Sequence, residues 1–234
     1  KMIAISSTVS GEGKTFLAIN LAGIIAFTGK KVVIIDLDMR KPKIHRGFNI
    51  KNTIGMSDIL AGKNTFKECV KKSELKGLDF ITAGTLPPNP SELIVSELFN
   101  KTIEELKKTY DMIVVDNPPV GLVTDGIPVL QKADYPIYVF KANFSRKNFV
   151  QNVDRLINEN KLKKLSVVLN GVETNNRSYG SKYGYGYGYG YGYGYGYGYG
   201  SNSYSSYYTE EGEDKKSIFE RIKSFFRSNE NTEN

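Results

Sequence analysis

The sequence predicts an α/β domain, built on a mainly parallel sheet with helices on both faces and followed by a disordered Gly-Tyr-rich tail. Through about residue 176, short β-branched apolar runs alternate with amphipathic stretches, as expected of strands that are buried on both faces and joined by helices. Between Asn175 and Ile218 aliphatic residues are absent, so this segment lacks the apolar surface that would offset the entropy of ordering it.

The elements alternate between strand and helix, which favours parallel neighbours joined by right-handed crossovers. We expect strands at Met2–Ser6, Lys31–Asp36, Leu78–Ile81, Met112–Val115, Pro136–Phe140 and Leu165–Leu169, and helices at Lys14–Thr28, Ser91–Lys108 and Ser145–Glu159. The prolines at positions 87, 88 and 90 force an extended connection before the second helix, which Asn89 or Ser91 can cap.

Three parts are expected along the 234 residues: a globular domain over residues 1–176, a disordered tail over 177–213 and an amphipathic helix over 214–228. The last part groups isoleucine and phenylalanine side chains on one face among basic residues, so binding to a membrane surface and docking on the domain or a partner both remain open. The sequence has no apolar run of about 18 residues that would predict a membrane span. Because the chain begins on what reads as its first core strand, we expect that an upstream part is missing.

The net charge of +7 lies in the predicted domain, because the segment from Tyr179 onward is nearly balanced, with 6 Lys/Arg and 7 Asp/Glu. Such a surplus suits phosphates, acidic lipids or nucleic acid, and it also suits an ordinary solvated surface, so it does not choose among them. The single cysteine, Cys69, excludes an internal disulfide and a cysteine-based metal cluster within one chain.

The segment SSTVSGEGKT at residues 6–15 predicts a phosphate-binding loop between the first strand and the first helix. It follows the pattern G-x-x-x-x-G-K-[ST], with threonine in place of the first glycine. Gly11 and Gly13 permit backbone conformations that turn successive N–H groups toward phosphate oxygens. Lys14 would reach the β- and γ-phosphates, and the Thr15 hydroxyl would ligate Mg²⁺.

Acidic residues follow two further predicted strands. One strand leads into Asp36, Asp38 and Arg40, and another leads into Asp116. Ligands of open α/β sheets bind beyond the carboxyl ends of the strands, so we expect these side chains to meet the loop. Carboxylates beside phosphates repel them unless a metal intervenes, which implies Mg²⁺.

These motifs together, SGEGKT, DLDMR at residues 36–40 and DNPP at 116–119, resemble the bacterial tyrosine kinases of capsule and exopolysaccharide export. That family calls them Walker A, A′ and B. Further stretches match at residues 40–42, 86–93 and 169–172, so the resemblance covers residues 2–172. A tyrosine-rich tail is the other hallmark of the family.

The resemblance implies a role for each residue of the site. It implies that ATP is bound by Gly11, Glu12, Gly13, Lys14, Thr15, Phe16 and Asn170, that Mg²⁺ is held by Thr15, Asp38 and Asp116, and that catalysis uses Lys14, Asp36, Asp38 and Arg40. Asp36 is favoured to orient or deprotonate the attacking tyrosine, although the sequence leaves open which aspartate is the base. For Asn170, an adenine contact and a turn role beside Gly171 are both compatible with its place at the end of a strand.

The tail concentrates phenol hydroxyls. Thirteen of the 16 tyrosines lie between Tyr179 and Tyr208, and nine consecutive Tyr-Gly dipeptides run from Tyr183 to Gly200. Alternating glycines prevent the rings from packing and keep the hydroxyls accessible, so the tail reads as a substrate that the chain carries itself. The expected phosphoacceptors are Tyr183, Tyr185, Tyr187, Tyr189, Tyr191, Tyr193, Tyr195, Tyr197, Tyr199, Tyr204, Tyr207 and Tyr208.

For its partners, the resemblance implies a ring-forming homo-oligomer that phosphorylates tails in trans and then dissociates. The ring contacts of the family involve a Glu-x-x-Arg-x-x-Arg motif upstream of the first strand, which this sequence does not contain, so ring formation by this chain alone stays in doubt. The resemblance also implies three further partners: an N-terminal membrane part, the polysaccharide export machinery and a tyrosine phosphatase. It places the kinase at the cytoplasmic face of the bacterial inner membrane. No nucleic acid is expected.

Two other classes of protein share part of this sequence pattern. A partition-type P-loop switch ATPase shares the fold, but its loop carries a signature lysine where this chain has Val9. A Gly-Tyr-rich structural or self-associating protein would account for the tail, and it leaves the three motifs unexplained.

Overall fold

The computed structural model describes residues 1–121 and 124–173, which form a seven-stranded sheet with the order β3-β4-β2-β5-β1-β6-β7. The strands are β1 (Met2–Ser7), β2 (Val32–Asp36), β3 (Lys71–Lys72), β4 (Leu78–Ile81), β5 (Met112–Asp116), β6 (Tyr135–Lys141) and β7 (Ser166–Asn170). Every pairing in this part of the chain is parallel except that of β3 with β4. The predicted parallel α/β sheet is confirmed, whereas the expected tail over 177–213 and helix over 214–228 lie outside the described residues.

Helices cover both faces of the sheet. They are α1 (Lys14–Phe27), α2 (Ile44–Gly47), α3 (Met56–Leu60), α4 (Phe66–Cys69), α5 (Pro90–Val95), α6 (Glu97–Thr109), α7 (Ile127–Lys132) and α8 (Val150–Asn158). Successive strand residues point to opposite faces, so Met2 and Ala4 join the core under α3–α8, while Ile3 and Ile5 join the core under α1 and α2. Two apolar layers therefore pack against the sheet, which explains why residues 2–5, 32–35 and 113–115 are apolar at successive positions.

Two of the expected helices differ from those observed. The predicted helix Ser91–Lys108 is divided into α5 and α6 at Ser96, whose extended backbone ends α5 while its hydroxyl accepts a hydrogen bond from the N–H of Phe99 (3.2 Å) and caps α6. The predicted helix from Ser145 begins with a 3₁₀ turn at Lys147–Phe149 and becomes α-helical only at Val150. Propensity alone does not reveal such breaks, because a serine can serve as a helix interior or as a cap. The two-residue strand β3 was not predicted.

The sheet order places three loops side by side. Strand β5 lies between β2 and β1, and Asp36 at the end of β2 is in register with Asp116 at the end of β5. The segments that follow β1, β2 and β5 therefore leave the same edge of the sheet as neighbours. Among the residues that the structure describes, every helix is too short or too polar to cross a membrane.

Candidate active site

The loop after β1 has the backbone of an anion cradle. Gly11 and Gly13 adopt φ of +102° and +98°, a left-handed region that favours glycine. A Cβ atom at Gly13 would collide with the side-chain amide of Asn170. Gly13 is also the N-cap of α1, whose first turn has no acidic residue and no side-chain cap, so its N–H groups and dipole remain available to an anion.

A buried ion-pair cluster lies directly beyond this loop. The Nζ atom of Lys14 is 2.8 Å from Oδ2 of Asp38 and 3.1 Å from Oδ1 of Asp116. The hydroxyl of Thr15 donates a 2.6 Å hydrogen bond to the other oxygen of Asp116. The structure thus brings together side chains from three strand ends that lie far apart in the sequence.

Asp36 is held by backbone N–H groups rather than by a cation. Its Oδ2 accepts hydrogen bonds from the N–H groups of Lys43 (3.2 Å) and Ile44 (3.1 Å), and its Oδ1 accepts one from the N–H of Asp38 (3.1 Å). The segment from Asp38 to α2 therefore wraps around this carboxylate and fixes its direction. Asp38 in turn accepts a 3.1 Å hydrogen bond from the N–H of Lys41.

The electrostatics of the cluster are unfavourable for its acids. Burial, and next the charge of Asp116, raise the pKa of Asp36 to about 8, although Lys14 opposes the shift. Burial likewise raises the pKa of Asp116 against the effect of Lys14. Burial by itself would lower the pKa of Lys14, but the charges of Asp116 and Asp38 outweigh it and raise that pKa. One lysine is therefore shared by more carboxylates than it neutralises.

The oxygen donors suit a metal–nucleotide complex better than a bare metal ion. In residues 1–121 and 124–173, no group of three or more His, Cys, Asp or Glu side chains is arranged to hold a metal. Mg²⁺ usually takes only one or two carboxylates and completes its octahedron with phosphate oxygens and water. Thr15, Asp38 and Asp116 present hard, buried oxygen atoms at the mouth of the phosphate-binding loop, and this set fits Mg²⁺ that arrives with a nucleotide.

Arg40 lies at the rim of the site. Its Nη2 atom donates to Oδ2 of Asp125 (3.0 Å) and to the hydroxyl of Ser91 (3.1 Å), and Ser91 donates to the same carboxylate (2.6 Å). The Arg40 side chain is half exposed. Neither partner was singled out as a site residue from the sequence, because Asp125 belongs to no predicted element and Ser91 was predicted only as a helix cap; in the structure Asp125 lies in a 3₁₀ turn at Thr124–Gly126.

The side chain of Glu12 braces the phosphate-binding loop from within. This side chain is fully buried. It accepts a hydrogen bond from the N–H of Val9 (2.8 Å) and a short one from the hydroxyl of Ser145. Asn170 donates to the backbone carbonyl of Glu12 (3.1 Å), so the end of β7 also contacts the loop. Phe16 lies on the outer side of α1 with 44% of its surface exposed. The role of Ser145 was not expected, since its position predicted only the start of a helix.

Comparison with known proteins agrees with this geometry. A sequence-family profile described as an AAA domain matches residues 1–167. The chain is 36% identical over 184 residues to the tyrosine-protein kinase YwqD of Bacillus subtilis (strain 168), covering 79% of this chain and 78% of that protein. It is 37% identical over 185 residues to the putative tyrosine-protein kinase CapB of Staphylococcus aureus, covering 79% of this chain and 81% of that protein. Among solved structures, the kinase domain of the Escherichia coli tyrosine kinase ETK is similar with a TM-score of 0.70 and 32% identity, over 80% of this chain and 72% of that chain.

The similarity extends over most of the length of YwqD and CapB, and the residues matched by the family profile include the three strand ends that form the site. A P-loop fold of this kind implies the use of a nucleotide and Mg²⁺. The chain belongs to the bacterial tyrosine-protein kinases of the capsule and exopolysaccharide family, enzymes that transfer a phosphoryl group from ATP to protein tyrosine.

Proposed function

We propose that this kinase phosphorylates the tyrosines of its own C-terminal tail, and that each subunit modifies the tail of a neighbour. The observation that carries the proposal is the buried cluster of Lys14 with Asp36, Asp38 and Asp116, on a chain with 13 of its 16 tyrosines between Tyr179 and Tyr208. The cluster supplies the means of phosphoryl transfer, and the tail supplies accessible phenols at high local concentration.

Nucleotide binding exchanges the partners of Lys14. The ammonium group of Lys14 lies between the carboxylates of Asp38 and Asp116. Phosphate oxygens of a nucleotide can replace these carboxylates as its hydrogen-bond acceptors. Release of Lys14 toward the β- and γ-phosphates would free the oxygens of Asp38, Asp116 and Thr15 to hold the metal. When bound there, Mg²⁺ supplies positive charge that neutralises the phosphates as they rearrange.

Asp36 is the group that we assign to the attacking phenol. In the transfer, the phenol oxygen forms a bond to the γ-phosphorus, the bond from that phosphorus to the ADP oxygen breaks, and the phenol proton passes to Asp36. Because burial and Asp116 raise the pKa of Asp36 to about 8, this carboxylate is a better match for a phenol with a pKa of about 10 than an ordinary aspartate is. Arg40, oriented by Asp125 and Ser91, would then contact the incoming tail at the rim.

Modification of the tail would change the charge of the whole chain. A Gly-rich chain of about 30 residues spans roughly 30 Å, so a neighbouring site is within reach. Each phosphate adds about −1.5 to −2 charges, and a fully modified tail would reverse the net charge of +7. Repulsion between such subunits would dissociate a ring, and a tyrosine phosphatase would restore it. We infer the same setting for the chain as for its family, with a membrane-anchored part and the polysaccharide export machinery at the cytoplasmic face.

Intact-mass spectrometry after phosphatase treatment and incubation with Mg²⁺-ATP tests the proposal. The chain is mixed with an isotope-labelled Lys14→Met chain, so that the two tails are distinguished by mass. Phosphates on the labelled, inactive chain would establish transfer in trans, and phosphates on the active chain alone would show transfer within one subunit. A chain that binds ATP and gains no phosphate on any tail tyrosine would contradict the proposed function.

A further inference from the structure

A second basic surface lies beside the active site, and apart from Arg40 its side chains have none of the roles assigned above. A depression of about 500 Å³ has Pro42 in its wall, and none of the side chains that line it is a carboxylate. Its polar lining is formed by Arg40, Lys41, Lys43, His45, Arg46 and Asn52. We refer to this depression as the basic pocket. Asp125 already balances the charge of Arg40, so the cations of the lining that bear on a ligand here are Lys41 and Arg46.

The segment that builds the basic pocket also holds the catalytic acids. The N–H groups of Lys43 and Ile44 donate to Asp36, and the N–H of Lys41 donates to Asp38. Burial, and next the charge of Lys14, lower the pKa of Lys43, so this side chain lies within electrostatic reach of the phosphate-binding lysine. An occupant of the basic pocket would therefore contact the same short segment that holds Asp36 and Asp38.

The lining favours a phosphate monoester on an aromatic ring. Arginine and lysine together recognise such groups, the arginine by its fork of N–H donors and the lysine as a point charge. Pro42 and the aliphatic stems of the lysines offer apolar surface to a ring. A pocket of this volume is within the range of sites for small ligands.

We propose that the basic pocket binds a phosphotyrosine that the kinase has already made, and that it thereby presents the neighbouring tyrosine of the Tyr-Gly repeat to Asp36. This inference rests on the proposed function, because it needs a tail that becomes phosphorylated. Tyrosines of the repeat are two residues apart, or about 7 Å along an extended chain, and Arg40 belongs both to the rim of the active site and to the lining of the basic pocket. The first transfer to a tail is then slow, and later transfers are faster because the substrate is already bound.

Binding without transfer gives the direct test. The 234-residue chain is titrated, in Mg²⁺-ADP, into a fluorescent Tyr-Gly-repeat peptide that carries one phosphotyrosine, and into the same peptide without it. We expect the phosphopeptide to bind about tenfold more tightly, and the double variant Lys41→Gln/Arg46→Gln to reduce that preference to about twofold. Both side chains are exposed, so the variant should fold, and its thermal melting is compared with that of the parent.

The matched control removes two exposed lysines elsewhere, Lys163→Gln/Lys164→Gln, and should keep the tenfold preference. Equal affinities of the parent chain for the two peptides would overturn the proposal. So would a control that loses the preference as fully as the Lys41→Gln/Arg46→Gln variant, because the effect would then be one of net charge. Loss of binding to vesicles of anionic phospholipid in the Lys41→Gln/Arg46→Gln variant, with the phosphopeptide preference unchanged, would make the basic pocket a lipid site instead.

A kinetic arm separates this proposal from the proposed function. With Mg²⁺-ATP, the phosphopeptide should be the better substrate by kcat/KM, and Lys41→Gln/Arg46→Gln should remove that advantage while leaving the rate on the unmodified peptide unchanged. If the parent chain transferred phosphate to neither peptide, the proposed function would fail. The binding measurement needs no transfer and would still decide what the basic pocket binds.

Discussion

The two ends of the parallel sheet carry the same pair of residue types in opposite surroundings. At the carboxyl end, Lys14 contacts Asp38 and Asp116, and all three side chains are at most 6% exposed. At the amino end, Lys1 lies 3.7 Å from Asp134, with the two side chains 65% and 37% exposed. Strand β1 joins the two ends, so one short element leads from an ordinary surface ion pair to a buried charge cluster.

The two ends differ in whether the folded chain favours the ionised form of its carboxyl groups. At the amino end, the N–H of Met2 donates to Asp134 (2.8 Å), and this hydrogen bond holds the pKa of that carboxyl below its usual value. At the carboxyl end, burial raises the pKa values of Asp36 and Asp116. The fold thus buries these two carboxyl groups although burial disfavours their ionised form. Such an arrangement is typical of a functional site.

The largest effect should come from removing the cation of each pair. We expect Lys14→Met to reduce phosphoryl transfer by at least about 10³-fold, because it removes the charge that we propose to contact the transferred phosphate. We expect the same change to destabilise the unliganded chain by about 3–5 kcal/mol, since buried carboxylates lose their partner, whereas Lys1→Met should cost no more than about 1 kcal/mol. Urea unfolding and transfer assays of both variants test this. Equal losses of stability would mean that the two ends do not differ as described.

The second comparison concerns Mg²⁺. Mg²⁺-ADP at about 100 times its Kd should stabilise the parent chain by about 2.7 kcal/mol. We expect Asp38→Asn to lose the part of this gain that depends on Mg²⁺, because it removes one metal ligand, and Asp134→Asn to retain it. Thermal melting with ADP, in Mg²⁺ and in EDTA, measures the gain. A Mg²⁺-dependent gain that survives in Asp38→Asn would exclude this carboxylate as a ligand.

The third comparison uses pH. A raised pKa in the folded state means that folding takes up protons, so the contribution of Asp36 is favourable at low pH and is lost as the pH rises through about 8. From about pH 7 to about pH 8.5, the unliganded chain should lose about 1–2 kcal/mol, measured by urea unfolding in EDTA. The lowered pKa of Asp134 acts in the opposite sense and only in acid, so Asp134→Asn should leave this slope unchanged. A flat or rising profile would contradict the burial of a charge-disfavoured Asp36.

The smallest effect should come from the amino end alone. The hydroxyl of Tyr110 donates to Asp79 (2.8 Å), and this contact lies at the far end of the strands from the phosphate-binding loop. Tyr110→Phe should therefore reduce stability by about 1 kcal/mol and leave the KM for ATP unchanged. A change in that KM would show that the two ends are coupled through the sheet, and steady-state kinetics beside urea unfolding would detect it.

The strands, the phosphate-binding loop and the charged residues of the site could be predicted from the sequence alone. Apolar runs identified six of the seven strands, and the pattern is plainest in β1, β2 and β5, whose apolar residues pack on both faces of the sheet. The phosphate-binding loop was readable because Gly11 and Gly13 serve a backbone conformation that few other residues adopt. Lys14, Asp38 and Asp116 predicted a nucleotide site, since phosphate oxygens attract a lysine and Mg²⁺ requires carboxylates.

Which of these residues contact one another depends on the packing of the whole domain. Asp116 reaches Lys14 because β5 lies beside β1, and Asp125 orients Arg40 across 85 positions of sequence. The physical reason is that periodicity reports whether a residue is buried, whereas its partner is set by the packing of elements that are distant in the chain.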